Sequence, residues 1–282
     1  MTVYIVVNKL FHGIAIDKNK DEMVIEQLCK PLVKSLNDSK VSKFEAMTEQ
    51  EGDVSFIKCY KGQKFHRFES CFGKDVKYVG VLENYNEKIG NLLNDTYKKS
   101  IKAFLDRKQS IPVFLDDKNF NQKPGVFTDY IVKLSQCREW DALFDIKDRK
   151  SAYQDYKSFN LQYYQVLMNI LRKGDKIIIM DPDLWLLPEL LKNEPISIST
   201  VLQIPFPRYE FFRCLYKREE ILGSLIKSKL IFQNQEESDL VKKICLITFA
   251  NFEEKNVRAV VVPLTTNITM EIDYGLFKPT DL

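Results

Sequence analysis

The side chains best placed for chemistry lie in two stretches of the sequence. The first, K-I-I-I-M-D-P-D-L-W-L-L-P-E-L-L at 176–191, runs from an apolar strand directly into Asp181-Pro182-Asp183. In open α/β sheets, ligands bind just beyond the carboxyl ends of strands. Two carboxylates there could hold Mg²⁺ or Mn²⁺ on a nucleotide-sugar diphosphate, as a metal-dependent sugar transferase would require. The same residues also read as a helix start, with Asp181 as N-cap, Pro182 at the first helical position and Asp183 favoured by the helix dipole. The second stretch, S-T-V-L-Q-I-P-F-P-R-Y-E-F-F-R-C-L-Y-K-R at 199–218, follows a strand with Arg208, Arg213, Lys217 and Arg218. Such cations can grip a phosphate. Alternatively Arg213 and Lys217, four apart, solvate one helix whose other side carries Phe211, Phe212 and Leu215.

Other chemistries lack their residues. The sequence contains no G-x-G-x-x-G, no G-x-x-x-x-G-K-[ST] and no G-x-S-x-G, so the usual nucleotide loops and the nucleophile elbow are missing. A Ser-His-Asp triad would have to use His12 or His66, the only two histidines, both in polar segments that read as surface. The six cysteines (Cys29, Cys59, Cys71, Cys137, Cys214, Cys245) form no C-x-x-C pair and cluster with neither histidine, so no zinc site and no metal is expected. With an opening M-T-V-Y-I-V-V-N that lacks the flanks of a signal peptide, they read as free thiols of a cytoplasmic protein.

Composition narrows the class further. Across 282 residues, 45% are hydrophobic and 29% charged, and 42 Lys+Arg against 39 Asp+Glu leave a net charge of +3. That combination excludes a disordered chain and gives no warrant for nucleic acid. Apolar runs are too short for a membrane span.

The elements that must hold the two stretches alternate along the chain. Strands are expected at 3–7, 54–60, 76–81, 111–115, 176–180, 198–204, 230–232 and 258–264. Helical spacing marks 23–36, 87–105, 153–171, 219–230 and 236–246, with loops at 116–125 and 136–150. Strands alternating with helices predict a doubly wound α/β layer with a mostly parallel sheet.

Taken in tandem, D-P-D-L-W-L-L-P-E-L-L and I-P-F-P-R-Y-E-F-F-R-C-L-Y-K-R-E-E-I-L resemble the trehalose-6-phosphate synthase family, glycosyltransferase family 20. That family reads H-D-Y-H-L-x-L-L-P-E-x-L, then P-F-P-x-x-E-I-F-R. V-V-N-K-L at 6–10 is similar to its V-S-N-R-L. I-P-V-F-L-D-D at 111–117 matches its following strand and loop, and 153–160 its W-x-A-Y-x-x-x-N helix with Tyr153 for Trp. The resemblance implies a Rossmann-like N-terminal half of the two-domain GT-B plan, spanning 1–282 as one domain without the donor-binding domain. It further implies transfer of glucose from UDP-glucose to glucose-6-phosphate, with no cofactor.

The resemblance fails where the family's chemistry sits. The H-D-Y-H positions carry Met180, Asp181, Pro182 and Asp183. Neither Met180 nor Pro182 can donate a hydrogen bond to a sugar, and Asp183 brings an anion towards a diphosphate. Lys9 replaces the family's Arg, D-K-N-K-D at 17–21 replaces its glycine loop, and Lys123-Pro124 stands ahead of Gly125 where an aromatic is expected. Trp140 aligns with a family Trp only through an insertion, and Asp145 takes the place of the following His. The resemblance therefore implies no catalytic residues and a non-catalytic domain that regulates or scaffolds a trehalose-6-phosphate synthase/phosphatase assembly. Its expected partners are the other subunits or domains, plus a sugar phosphate held by Lys9, Trp140 and Arg213. The alternative is the acceptor-side half of a working synthase. The phosphatase motif D-x-D-x-T does not occur in the sequence.

Overall fold

The computed structural model describes residues 1–10, 12–16, 48–51, 54–58, 75–82, 93, 95–107, 109–115, 125–136, 148–250 and 252–262. The helix expected over 23–36, the 17–21 loop, His66, Trp140 and Asp145 lie outside them. Strands β1 (Val3–Lys9), β2 (His12–Ile16), β3 (Thr48–Glu51), β4 (Val54–Lys58), β5 (Val76–Val81) and β6 (Ser110–Pro112) come from the first part of the chain. Strands β7 (Lys176–Ile179), β8 (Ser197–Val201), β9 (Lys229–Phe232) and β10 (Ala259–Val261) follow. The helices are α1 (Asp95–Arg107), α2 (Gly125–Gln136), α3 (Arg149–Met168), α4 (Leu187–Leu191), α5 (Tyr209–Phe212), α6 (Arg218–Leu225) and α7 (Gln235–Thr248).

Seven strands form one sheet in the order β10-β9-β8-β7-β1-β5-β6, and every pairing in it is parallel. The chain winds outward from β1 through β5 to β6, then crosses back to β7 on the other side of β1. The expected doubly wound α/β layer is therefore present, with its topological switch point between β1 and β7. A second, antiparallel sheet orders β2-β4-β3. The strand read at 54–60 belongs there and not to the parallel layer.

Burial on both faces explains why β1 is a continuous β-branched run. Val3, Ile5 and Val7 meet Ile101, Phe104 and Leu105 of α1 on one face. Tyr4 and Val6 meet Phe159, Tyr163 and Leu167 of α3 on the other. Each fully buried aliphatic side chain here contributes roughly 1.5–3 kcal/mol of transfer free energy. A third cluster joins α2, the start of α3, Trp185, Phe206, α6 and α7.

Several element boundaries differ from the sequence expectation. Leu93 is outside a helix and α1 starts at Asp95. The sequence reading assigned nothing to 126–135, which forms α2 with Phe127, Tyr130, Ile131 and Leu134 inward. The single helix proposed to carry both Arg213 and Lys217 is two. Helix α5 ends at Phe212, and Lys217 adopts a left-handed φ of 58° as the N-cap of α6. Arg213 and Lys217 therefore do not share a helical face.

Candidate functional site

The switch-point crevice is built by the carboxyl ends of β1 and β7. The Met180 N–H continues the ladder to the Val6 carbonyl at 3.0 Å, and the Met180 side chain is buried against the α1 face. The chain then leaves the sheet through Asp181 in extended conformation, and Pro182 opens a 3₁₀ turn over Pro182–Leu184. The backbone geometry is that of the expected cap. The Asp181 carboxylate, however, makes no bond within its own turn. Its Oδ2 instead accepts the Asn8 N–H at 2.6 Å, across the gap between β7 and β1.

Asp183 is likewise turned inward, with 6% of its surface exposed. One carboxylate oxygen accepts from the Asn8 side-chain amide at 2.8 Å, and the other from the Thr128 hydroxyl of α2 at 2.6 Å. Burial pushes the Asp183 carboxyl up to about 6, with the charge of Asp181 adding to the rise and the Thr128 and Asn8 donors opposing it. Burial also raises Asp181, against the pull of the Asn8 N–H.

Helix α3 fixes the turn from behind. The Tyr156 hydroxyl donates to the Pro182 carbonyl at 2.6 Å and accepts the Trp185 N–H at 3.2 Å. Four residues on, Asn160 donates from its amide to the Asp183 carbonyl at 2.8 Å, while its oxygen accepts the Leu186 N–H at 3.2 Å. The i, i+4 spacing puts both side chains on one helical face. One turn further, the Tyr163 hydroxyl enters the irregular register of β1 between Val6 and Lys9. It accepts the Val81 N–H at 3.1 Å and lies 3.0 and 2.7 Å from the Val7 and Asn8 carbonyls.

This arrangement is poor in reactive groups. Asp181 and Asp183 come together, but three of their four carboxylate oxygens accept hydrogen bonds from the protein. No group of three or more His, Cys, Asp or Glu suited to a metal occurs among the described residues. Lys9 ends β1 next to Asn8 and is exposed. Arg213 is exposed beyond α5, and the next residue, Cys214, is tied to α2 by the Tyr130 hydroxyl donating to its carbonyl at 2.7 Å. One helix thus connects the Asp183 turn, through Thr128, to the Arg213 segment, through Tyr130. Among the described residues, Cys214 and Cys245 are free thiols, and burial pushes the latter up to about 12. The buried Cys245 is therefore an unreactive thiol near neutral pH.

The sequence reading missed Asn8, Thr128 and Tyr163. Thr128 carried a usable signal, a polar residue among inward-facing Phe127, Tyr130 and Ile131. Tyr163 carried none, because a tyrosine on an apolar helical stripe reads simply as core.

The model for glycosyltransferase family 20 matches residues 20–255. The chain belongs to glycosyltransferase family 20. Among curated members of that family, it is 28% identical over 166 residues to a putative alpha,alpha-trehalose-phosphate synthase (UDP-forming) 100 kDa subunit of Schizosaccharomyces pombe. It is 30% identical over 176 residues to the trehalose synthase complex regulatory subunit of Saccharomyces cerevisiae. Those matches cover 56% and 58% of this chain but 18% and 15% of the relatives, so the chain spans only a small part of their length. The fold resembles the N-terminal domain of Candida albicans trehalose-6-phosphate phosphatase, with a TM-score of 0.56 and 21% identity over 69% of this chain and 42% of that one. An Escherichia coli structure bound with UDP-2-fluoro glucose matches with a TM-score of 0.51 and 13% identity over 93% of this chain and 48% of that one. At these identities the likeness is one of fold.

No helix among the described residues is long and apolar enough to cross a membrane.

Proposed function

We propose that this family 20 chain is a non-catalytic, synthase-like domain of trehalose metabolism, which regulates or scaffolds a trehalose-6-phosphate synthase/phosphatase assembly. The observation that carries the reading is the state of the switch-point turn. Where the family places two histidines, this chain has a buried methionine and a buried aspartate whose two oxygens accept bonds from Asn8 and Thr128. A sugar acceptor needs donors and a diphosphate needs cations; this turn offers neither. The similarity to a regulatory subunit and to the N-terminal domain of a phosphatase supports the same conclusion. The helices and strands that form a contact surface persist while the reacting groups do not. Lys9, Trp140 and Arg213 are the proposed contacts for a retained sugar phosphate.

The test has two arms. Incubating the purified chain with UDP-glucose and glucose-6-phosphate is expected to release no UDP above the blank. Mixing it with an active trehalose-6-phosphate synthase is expected to give a complex by sedimentation velocity. UDP release by the purified chain would overturn the non-catalytic reading, and failure to associate would overturn the scaffolding one.

A further inference from the structure

The turn after β7 holds two carboxylates that no cation answers. Asp183 is buried and Asp181 half-buried, and among the described residues neither forms an ion pair. Their hydrogen-bond donors are neutral: Asn8 from β1 and Thr128 from α2. The titratable groups facing them are each other and, on α3, the hydroxyls of Tyr156 and Tyr163. Lys9, next to Asn8, and Asp129, next to Thr128, are exposed. A second negative charge buried in such a place is costly unless it takes up a proton or meets water.

Helix α2 is the element whose movement would admit that water. It packs on α3, on the turn and on α5, so it can lift without the sheet opening. The Phe127 ring holds it against the rings of Tyr153 and Tyr156, at 5.2 and 5.0 Å between centres. The Tyr130 hydroxyl ties it to the Cys214 carbonyl at 2.7 Å. The Thr128 hydroxyl closes it onto Asp183 at 2.6 Å.

We propose that Asp181, Asp183 and Thr128 form a proton-operated clasp: with a proton on the carboxylate pair, α2 is held over the carboxyl ends of β1 and β7, and on loss of that proton α2 lifts and the switch-point crevice opens. The Thr128 hydroxyl can donate to a carboxylate or accept from a carboxylic acid, so its bond suits either state. What changes is the charge buried beneath the helix. The covered Asp183 carboxyl stands at about 6 and its ordinary value is 3.8. The closed form therefore binds more protons than the open one, and low pH favours closure. The clasp rests on the geometry of the turn and not on the role proposed above.

Hydrogen–deuterium exchange of the full chain, followed by mass spectrometry from pH 5 to pH 8 and corrected for intrinsic rates, tests the clasp. With those two carboxyl values, the protection of α2 amides should fall about tenfold from pH 5 to pH 7. At both pH values α2 should exchange faster than β7, because the helix lifts while the sheet stays closed. Asp183→Asn should abolish the step. Thr128→Val removes a donor that holds the Asp183 carboxyl down, so the midpoint should move to higher pH. Constant α2 protection in the wild type, or a step that survives in Asp183→Asn, would overturn the proposal. Equal rates for α2 and β7 would also overturn it, since the pH dependence would then belong to global unfolding. So would an unmoved midpoint in Thr128→Val, which would take Thr128 out of the clasp.

Discussion

Asp183, a candidate metal ligand in the sequence, is bonded in the fold to Asn8 and Thr128. Its folded carboxyl, held near 6 by burial, lies above its ordinary value of 3.8. Folding therefore favours the protonated form. Its contribution to stability is fully present below about pH 4 and is lost as the pH rises through about 6. At about 1.4 kcal/mol per unit, the loss is on the order of 3 kcal/mol. Asp183→Asn keeps an acceptor for the Asn8 amide and gives a donor to the Thr128 hydroxyl, without the charge. Thermal melts should therefore show the variant at or above wild type at pH 7, with the wild type gaining on it as the pH falls towards 4. A constant difference across that range would show that the buried charge costs nothing. The same residue decides the metal question. Because both Asp183 oxygens are engaged, Mn²⁺ should produce no saturable shift in melting temperature. A shift abolished by Asp183→Asn would restore the metal reading.

At the scale of elements, the crevice depends on how closely β1, β5 and α3 approach. Gly80 of β5 lies where an added Cβ would sit 2.8 Å from the Val7 carbonyl and 3.3 Å from the Leu10 nitrogen. Both are backbone atoms and cannot rotate away. Gly80→Ala should therefore destabilise the chain by roughly 1–3 kcal/mol in urea denaturation; a neutral result would mean the register between β1 and β5 is looser than described. Tyr163 serves the other side of the same irregularity. Tyr163→Phe leaves the buried Val81 N–H and two carbonyls without their hydroxyl, a loss of about 1–3 kcal/mol. A change below about 0.5 kcal/mol would indicate that water or backbone adjustment takes over. These two contacts, with Tyr156 and Asn160 behind the turn, explain how α3 fixes the geometry of the switch point.

For the molecule as a whole, the parallel layer sets the order of stability. Strands β1 and β7 are central, and Ile5, Val6, Ile177 and Ile179 are fully buried. Opening them requires disrupting clusters on both faces of the sheet. Their amides should be the slowest to exchange with deuterium, and those of β10 and β6 at the sheet edges faster. Equal rates would indicate that the sheet opens as one unit. At the carboxyl ends of β1 and β7 this layer carries a closed turn whose carboxylates are bonded within the protein.

Much of the layer was legible in the sequence because buried parallel strands need continuous apolar runs. Residues 3–7, 76–81 and 176–180 announce themselves in that way, and the order of motifs carried the family. Helix α2 was less visible: its outward Val126 and inward Thr128 blur the separation of apolar and polar faces. The D-P-D motif fixed where the turn would fall, since Pro182 can open a helical turn and cannot extend a strand. Sequence alone left two fates for its carboxylates, because a side chain's partners lie far away along the chain. Asn8 is more than 170 residues from Asp181 and Asp183, and Thr128 is 55 from Asp183. Only the crossover that brings β7 beside β1, with α2 over their ends, decided that these oxygens meet donors of the protein itself. Composition and periodicity determined that a doubly wound sheet would form, because they act through local burial; the tertiary structure determined that its carboxylates face donors of the protein itself.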